Sequence, residues 1–221
     1  MKVRRQNLLE FYDHEPQWGE SESSPVSAVT GVIGEDLVLA LLCRKLGGKI
    51  RGYDCRGKGA WLDAWVTTSE TEYQVEAKNW CAHSLGGDKV EADGSNLRSV
   101  AEENLRVYLE EPRNRAKIWK VLGAMKAVEG HSEETKPEPV LAFWAPVAEV
   151  GSSKLPSFFS VAMDSYISRE IVPLNLRETL HKRVHVFSAS LYLRQECLDD
   201  TLDLDMPRAA HRMKWLQSLL A

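Results

Sequence analysis

Trp61-Leu62-Asp63-Ala64-Trp65-Val66 and Tyr73-Gln74-Val75-Glu76-Ala77-Lys78 decide how this chain is read. Both stretches have the aromatic and β-branched composition of strands. In the second, side chains alternate across the pleat. Tyr73, Val75 and Ala77 share one face; Gln74, Glu76 and Lys78 share the other. The strand therefore aims a carboxylate and an ammonium the same way.

The segment between them, Thr67-Thr68-Ser69-Glu70-Thr71-Glu72, sets the register. If the chain reverses symmetrically between Ser69 and Glu70, facing residues have numbers that sum to 139, as do Asp63 and Glu76. Like charges directly opposed on neighbouring strands repel, and Lys78 with a divalent cation would offset that repulsion. The turn carries no Gly, Asn-Gly or Asp-Gly, so this register rests on symmetry alone. Two opposed carboxylates and a lysine form an arrangement for holding a hard cation beside a phosphate.

Working outward, Thr30 to Leu46 reads as a helix, apolar on nearly all sides and stopped by Gly47-Gly48. Glu35 and Asp36 are expected in its first turn, where the helix dipole favours acids. A strand is expected near Lys49–Tyr53, then a Gly/Lys-rich loop, Arg56-Gly57-Lys58-Gly59. Helices are expected over Leu97–Glu110 and over Pro112–Val128. Strands are expected at Val140–Pro146, Phe158–Met163 and Val184–Tyr192, and a last helix at Arg208–Leu220. Glu196, Asp199, Asp200, Asp203 and Asp205 lack the spacing of a calcium loop and read as a solvated segment. The order implies a mixed α/β fold. Residues 1–28 are expected as an N-terminal arm and 29–221 as a single domain.

A net charge of −4 argues against a wholesale polycation but leaves room for a local basic patch. Cys43, Cys55, Cys81 and Cys197 are scattered without paired Cys/His spacing, which speaks against zinc and for reduced thiols in a cytoplasmic protein. No apolar run follows Met1-Lys2-Val3-Arg4-Arg5, so a signal peptide is not expected, and no stretch reaches the length of a membrane span.

Gly34-Glu35 early in a helix, Asp63 on one strand and Val75-Glu76-Ala77-Lys78-Asn79-Trp80 on the next resemble the PD-(D/E)xK nuclease superfamily over residues 30–80. That superfamily includes restriction endonucleases, archaeal-type Holliday-junction resolvases and NERD-type nucleases. Asp63 is preceded by Leu62 rather than Pro. The resemblance implies a restriction-endonuclease-like αβββαβ core, a mixed central sheet flanked by helices. It implies a metal-dependent nuclease hydrolysing phosphodiester bonds in DNA, in a defence, restriction or repair setting. The alternative is a catalytically inactive nucleic-acid-binding or assembly subunit that keeps the fold.

By the same resemblance Asp63 and Glu76 would ligate Mg²⁺ or Mn²⁺, with the Ala77 carbonyl and Glu35 as further ligands. Lys78 would orient the attacking water. The four polar groups are expected to converge at a sheet edge. Trp61, Trp65 and Trp80 either stack on bases or pack in the core; Gln74 either touches the scissile strand or bonds structurally. His83 reads as a loop residue, and His181 and His185 as structural or surface residues. For phosphate contacts, Arg113, Lys117 and Lys120 form one helical stripe, with Lys58 and Arg183 as secondary candidates beside Arg56, Arg177 and Lys182. Cutting both strands of a duplex would ask for a homodimer.

Overall fold

A computed structural model describes residues 1–13, 25–57, 60–78, 97–110, 137–144, 146–147, 155–168, 172–178 and 180–220. The elements run β1 (Lys2–Arg4), α1 (Arg5–Asp13), α2 (Pro25–Leu46), β2 (Lys49–Gly57), β3 (Ala60–Thr67), β4 (Glu72–Lys78) and α3 (Leu97–Glu110). They continue with β5 (Glu138–Phe143), β6 (Phe158–Ala162), α4 (Asp164–Ile167), α5 (Leu174–Arg177), β7 (Arg183–Ser188), α6 (Ala189–Leu191), β8 (Thr201–Asp203) and α7 (Pro207–Leu220). The chain is mixed α/β. A six-stranded mixed sheet, in the order β2-β3-β4-β5-β7-β6, is flanked by helices.

The β2-β3-β4 meander is antiparallel, while β4, β5 and β7 run parallel and β6 returns antiparallel to β7. The sheet divides the core in two. On one face α2 packs on Ala64, Val66, Val75, Ala77, Val140 and Ala142; on the other α3 packs on Leu141, Phe143, Val184 and Val186.

Helix α2 earns its burial from sequence: every side chain from Leu37 to Leu42 is buried, because the helix lies between the sheet, α6 and α7. It ends in the expected glycine stop. Gly47 takes φ +62°, its N–H reaches Arg44 O, and Gly48 N–H reaches Cys43 O at 2.9 Å. The helix begins five residues earlier than expected, with Pro25 at its first position. Glu35 and Asp36 therefore stand well inside it, and the first-turn dipole account of them is overturned. Asp36 is fully buried and instead accepts from Ala209 N–H at 2.9 Å, capping α7 from outside. Its other oxygen faces Arg208 Nε at 3.5 Å, and that guanidinium lies 4.5 Å over the Tyr53 ring.

One further expectation is corrected. The apolar run Val184–Tyr192 is not one strand: β7 stops at Ser188, whose Oγ accepts from Leu191 N–H, and the chain coils into α6 and a π turn, Tyr192–Glu196. A short apolar run fits either state by periodicity alone. In the acidic segment Asp199, Asp200, Asp203 and Asp205 are exposed, as expected, and half-buried Glu196 pairs with Lys45, while Asp199 reaches Arg44 and Asp200 reaches Arg5. Residues 1–13, read as part of an arm, are docked: β1 pairs with β8, and Leu8 joins the α2-side core. No described helix is long and apolar enough to cross a membrane.

Candidate active site

The turn between β3 and β4 decides the site. Without glycine, it closes through Thr68: its N–H donates to Thr71 O at 2.9 Å, and its Oγ1 accepts from Thr71 N–H at 2.9 Å and Glu70 N–H at 3.2 Å. A hydroxyl thus does the work of a special backbone conformation. The resulting pairs are Thr67–Glu72, Val66–Tyr73, Trp65–Gln74 and Ala64–Val75, each summing to 139. The next position in that register is Asp63 against Glu76.

The ladder changes character there. Ala77 N–H, which would continue the pairing toward Leu62, donates instead to Asp63 Oδ2 at 2.7 Å. Leu62 joins the α3-side core while Ala64 lies in the α2-side core. Glu76 follows Gln74 onto the α3 face by strand alternation, while Asp63 stands where the alternation of β3 breaks, between Leu62 and Ala64. On β5 the same face carries Leu141, the register partner of Glu76, and Phe143, the partner of Lys78. Glu76 is buried, at 7 % exposure, and Asp63 is half-buried. Interior strands, not edge strands, carry both carboxylates, since β2 lies outside β3 and β5 beside β4. The expected placement at a sheet edge is corrected accordingly.

Two hard oxygen donors suit Mg²⁺, which is commonly held by one or two carboxylates and completes its shell with water and substrate phosphate. Asp63 and Glu76 fit that chemistry. Glu35 is half-buried on α2, yet among the described residues no three His, Cys, Asp or Glu side chains gather as a metal group. Glu35 therefore does not complete a three-carboxylate cluster with Asp63 and Glu76. Ala77 is fully buried, its side chain in the α2-side core. Lys78 ends β4; its side chain lies outside the described residues, as do Lys58, Arg113, Lys117, Lys120, Trp80 and His83.

Arg183 is exposed at the start of β7. Glu76 pairs with Leu141, and Leu141 with Val186, so Arg183 lies three residues, roughly 10 Å, before the level of Glu76 along the parallel strands.

Trp65 is buried, with the Arg51 guanidinium 5.8 Å from its ring, so core packing wins over base stacking there. Gln74, opposite Trp65, is 1 % exposed, and among the described residues its buried Oε1 has no hydrogen-bond partner. The sequence signal for it was its position two residues before Glu76 on the same face. His185 is buried on the α2 face, bonded to Ser160 Oγ at Nδ1 (2.9 Å) and to Glu138 at Nε2, and stacked on Phe158. Burial pushes the Cys43 thiol up to about 12, with help from Asp205, so it is no nucleophile.

No family model, curated protein or solved structure matches this chain.

Proposed function

We propose that this chain is a metal-dependent nuclease of restriction-endonuclease-like fold that hydrolyses phosphodiester bonds in DNA. One observation carries the reading: the Asp63 carboxylate accepts from the Ala77 amide at 2.7 Å, between Glu76 and Lys78, just beyond the last pair, Ala64–Val75, of the 139 register. The element order α2-β2-β3-β4-α3-β5, with an antiparallel meander followed by a parallel β5, supports the αβββαβ core. In this reading Asp63 and Glu76 hold Mg²⁺ or Mn²⁺. The ion would lower the pKa of a water and neutralise charge on the phosphoryl oxygens. Asp63 keeps one oxygen on the Ala77 amide, which fixes the direction of the other. Lys78, two positions after Glu76 in the sequence, would orient the attacking water and stabilise developing charge. Action on both strands of a duplex calls for a second copy.

The test incubates the chain with supercoiled plasmid, linear duplex, single-stranded and branched DNA and RNA, in Mg²⁺, Mn²⁺ or EDTA. Cleavage of DNA is expected with either ion, absent in EDTA and absent in Asp63→Asn and Glu76→Gln. Salt-sensitive DNA binding without cleavage would replace this reading with a binding subunit, and an Asp63→Asn variant cutting at the wild-type rate would remove the assigned site.

A further inference from the structure

Gln74 stands two residues before Glu76 on β4 and shares the α3 face with it, because Val75 and Ala77 fill the α2-side core. It is 1 % exposed, and among the described residues its Oε1 has no hydrogen-bond partner. Its neighbours on that face do not supply one. Across the strands lie Trp65 on β3 and buried Pro139 on β5. Along β4 lie Glu72 and Glu76, whose carboxylates accept hydrogen bonds just as Oε1 does. Glu72 has a donor in Arg51 Nη1 at 3.0 Å. Among the described residues the row Glu72, Gln74, Glu76 is thus rich in acceptors and lacks a donor at its middle position. A buried amide oxygen without a donor is destabilising, and in a folded protein such an atom marks a place for an ordered water or an ion.

We propose that Gln74 is a positioning residue for the ion assigned to Asp63 and Glu76: its Oε1 accepts a hydrogen bond from a water that the ion carries. The inference rests on the metal site of the proposed nuclease. The chemistry of the two sides is complementary. Mg²⁺ loses its hydration shell reluctantly, and beside two carboxylates it keeps several waters. Each of those waters has O–H donors that the ion polarises and that need acceptors. Alternate residues on a strand lie about 6.6–6.8 Å apart, a span that a water beside Glu76 bridges to a Gln side chain. A neutral amide adds an acceptor without a third charge to repel Asp63 and Glu76. Its burial also protects the bond from competing solvent. Outer partners of this kind change metal affinity by about 10–100-fold.

A purely structural amide makes the opposite prediction. If Gln74 served packing or the sheet, its loss would be felt equally with and without the ion. An amide whose partner is an ion-bound water contributes no bond to the ion-free fold, so an apolar side chain of similar shape replaces it there without loss. Met is such a side chain, unbranched and adaptable.

The experiment is urea unfolding of the full chain as wild type, Gln74→Met and Gln74→Glu, in EDTA and across a Mg²⁺ series. Mn²⁺ affinity is read alongside from the electron paramagnetic resonance of the free ion. In EDTA, Gln74→Met is expected to unfold at the wild-type midpoint or above it. Its affinity for both ions should fall about tenfold. Gln74→Glu keeps the acceptor and adds charge, so it should unfold at lower urea in EDTA yet bind both ions at least as tightly as wild type. Equal ion affinity in wild type and Gln74→Met overturns the proposal and leaves the nuclease reading standing. So does a Gln74→Met variant that unfolds earlier than wild type in EDTA or does not fold, because the amide would then serve the fold. Gln74→Glu binding no better than Gln74→Met has the same force. A wild-type chain that binds neither ion removes the metal site itself, and this inference with it. None of these outcomes depends on nuclease activity.

Discussion

Replacing Asp63 separates its structural work from its chemical work. Its Oδ2 accepts from the Ala77 amide at 2.7 Å, and Ala77 is fully buried. Asp63→Ala leaves that N–H without an acceptor, and an orphaned buried donor costs about 1–3 kcal/mol. Relief of repulsion from Glu76 offsets only part of this, since opposed pairs contribute about 0.2–1 kcal/mol. The net loss is about 1–2 kcal/mol, or a fall of about 2–8 °C in Tm for a chain of this length. Asp63→Asn keeps an acceptor oxygen for Ala77, loses the charge and relieves the repulsion, so its stability should lie within about 0.5 kcal/mol of wild type. The assay is urea unfolding followed by tryptophan fluorescence, to which the buried Trp65 beside the site contributes. Repeating it in Mg²⁺ adds the metal arm. At tenfold excess over Kd a bound ion stabilises by about 1.4 kcal/mol, a gain expected for wild type and for neither variant. Asp63→Ala as stable as wild type, or Asp63→Asn as unstable as Asp63→Ala, would refute the hydrogen-bond argument. An equal Mg²⁺ gain in all three proteins would refute the metal assignment.

Two predictions concern the frame around the site. Asp36→Ala removes a fully buried carboxylate that caps α7 and faces Arg208, so it should cost about 3–5 kcal/mol in chemical denaturation, with Asp36→Asn costing less because it still accepts from Ala209; a loss under about 1 kcal/mol would mean the cap is dispensable. Burial raises the Glu196 carboxyl, but hydrogen bonds from Lys45 and Ser157 outweigh it and hold the group below its ordinary value. A depressed carboxyl contributes stability above its unfolded pKa of about 4.3 and loses it as the pH falls through the folded value. The stability gap between wild type and Glu196→Gln should therefore stay flat near neutrality and shrink in acid; a gap unchanged down to about pH 3 would contradict that sign.

Local pattern made much of this protein legible. Alternation in Tyr73–Lys78 placed Glu76 with Gln74 and apart from Val75 and Ala77, and the 139 register followed from the symmetry of one six-residue segment. Helix α3 and the cores of β5, β6 and α7 also followed from short-range periodicity. These features depend on neighbours in the chain, where side-chain direction repeats every 2 or 3.6 residues.

Partners far apart in sequence were not legible. Asp36 looked like a helix-start acid until α7, more than 170 residues later, brought its bare N-terminus and Arg208 to it. The acidic segment is largely solvated, as its composition implied, but its ion partners Lys45, Arg44 and Arg5 were not legible. Val184–Tyr192 looked like one strand until Ser188 capped a helix inside it. That Ala77 N–H turns to a side chain at Asp63, and that Gln74 is buried with an oxygen that finds no partner among the described residues, are equally tertiary facts. The physical reason is common to all of them. Sequence determines which groups want burial, charge or a hydrogen bond, whereas packing alone determines which distant group arrives to satisfy them, and which arrives unsatisfied.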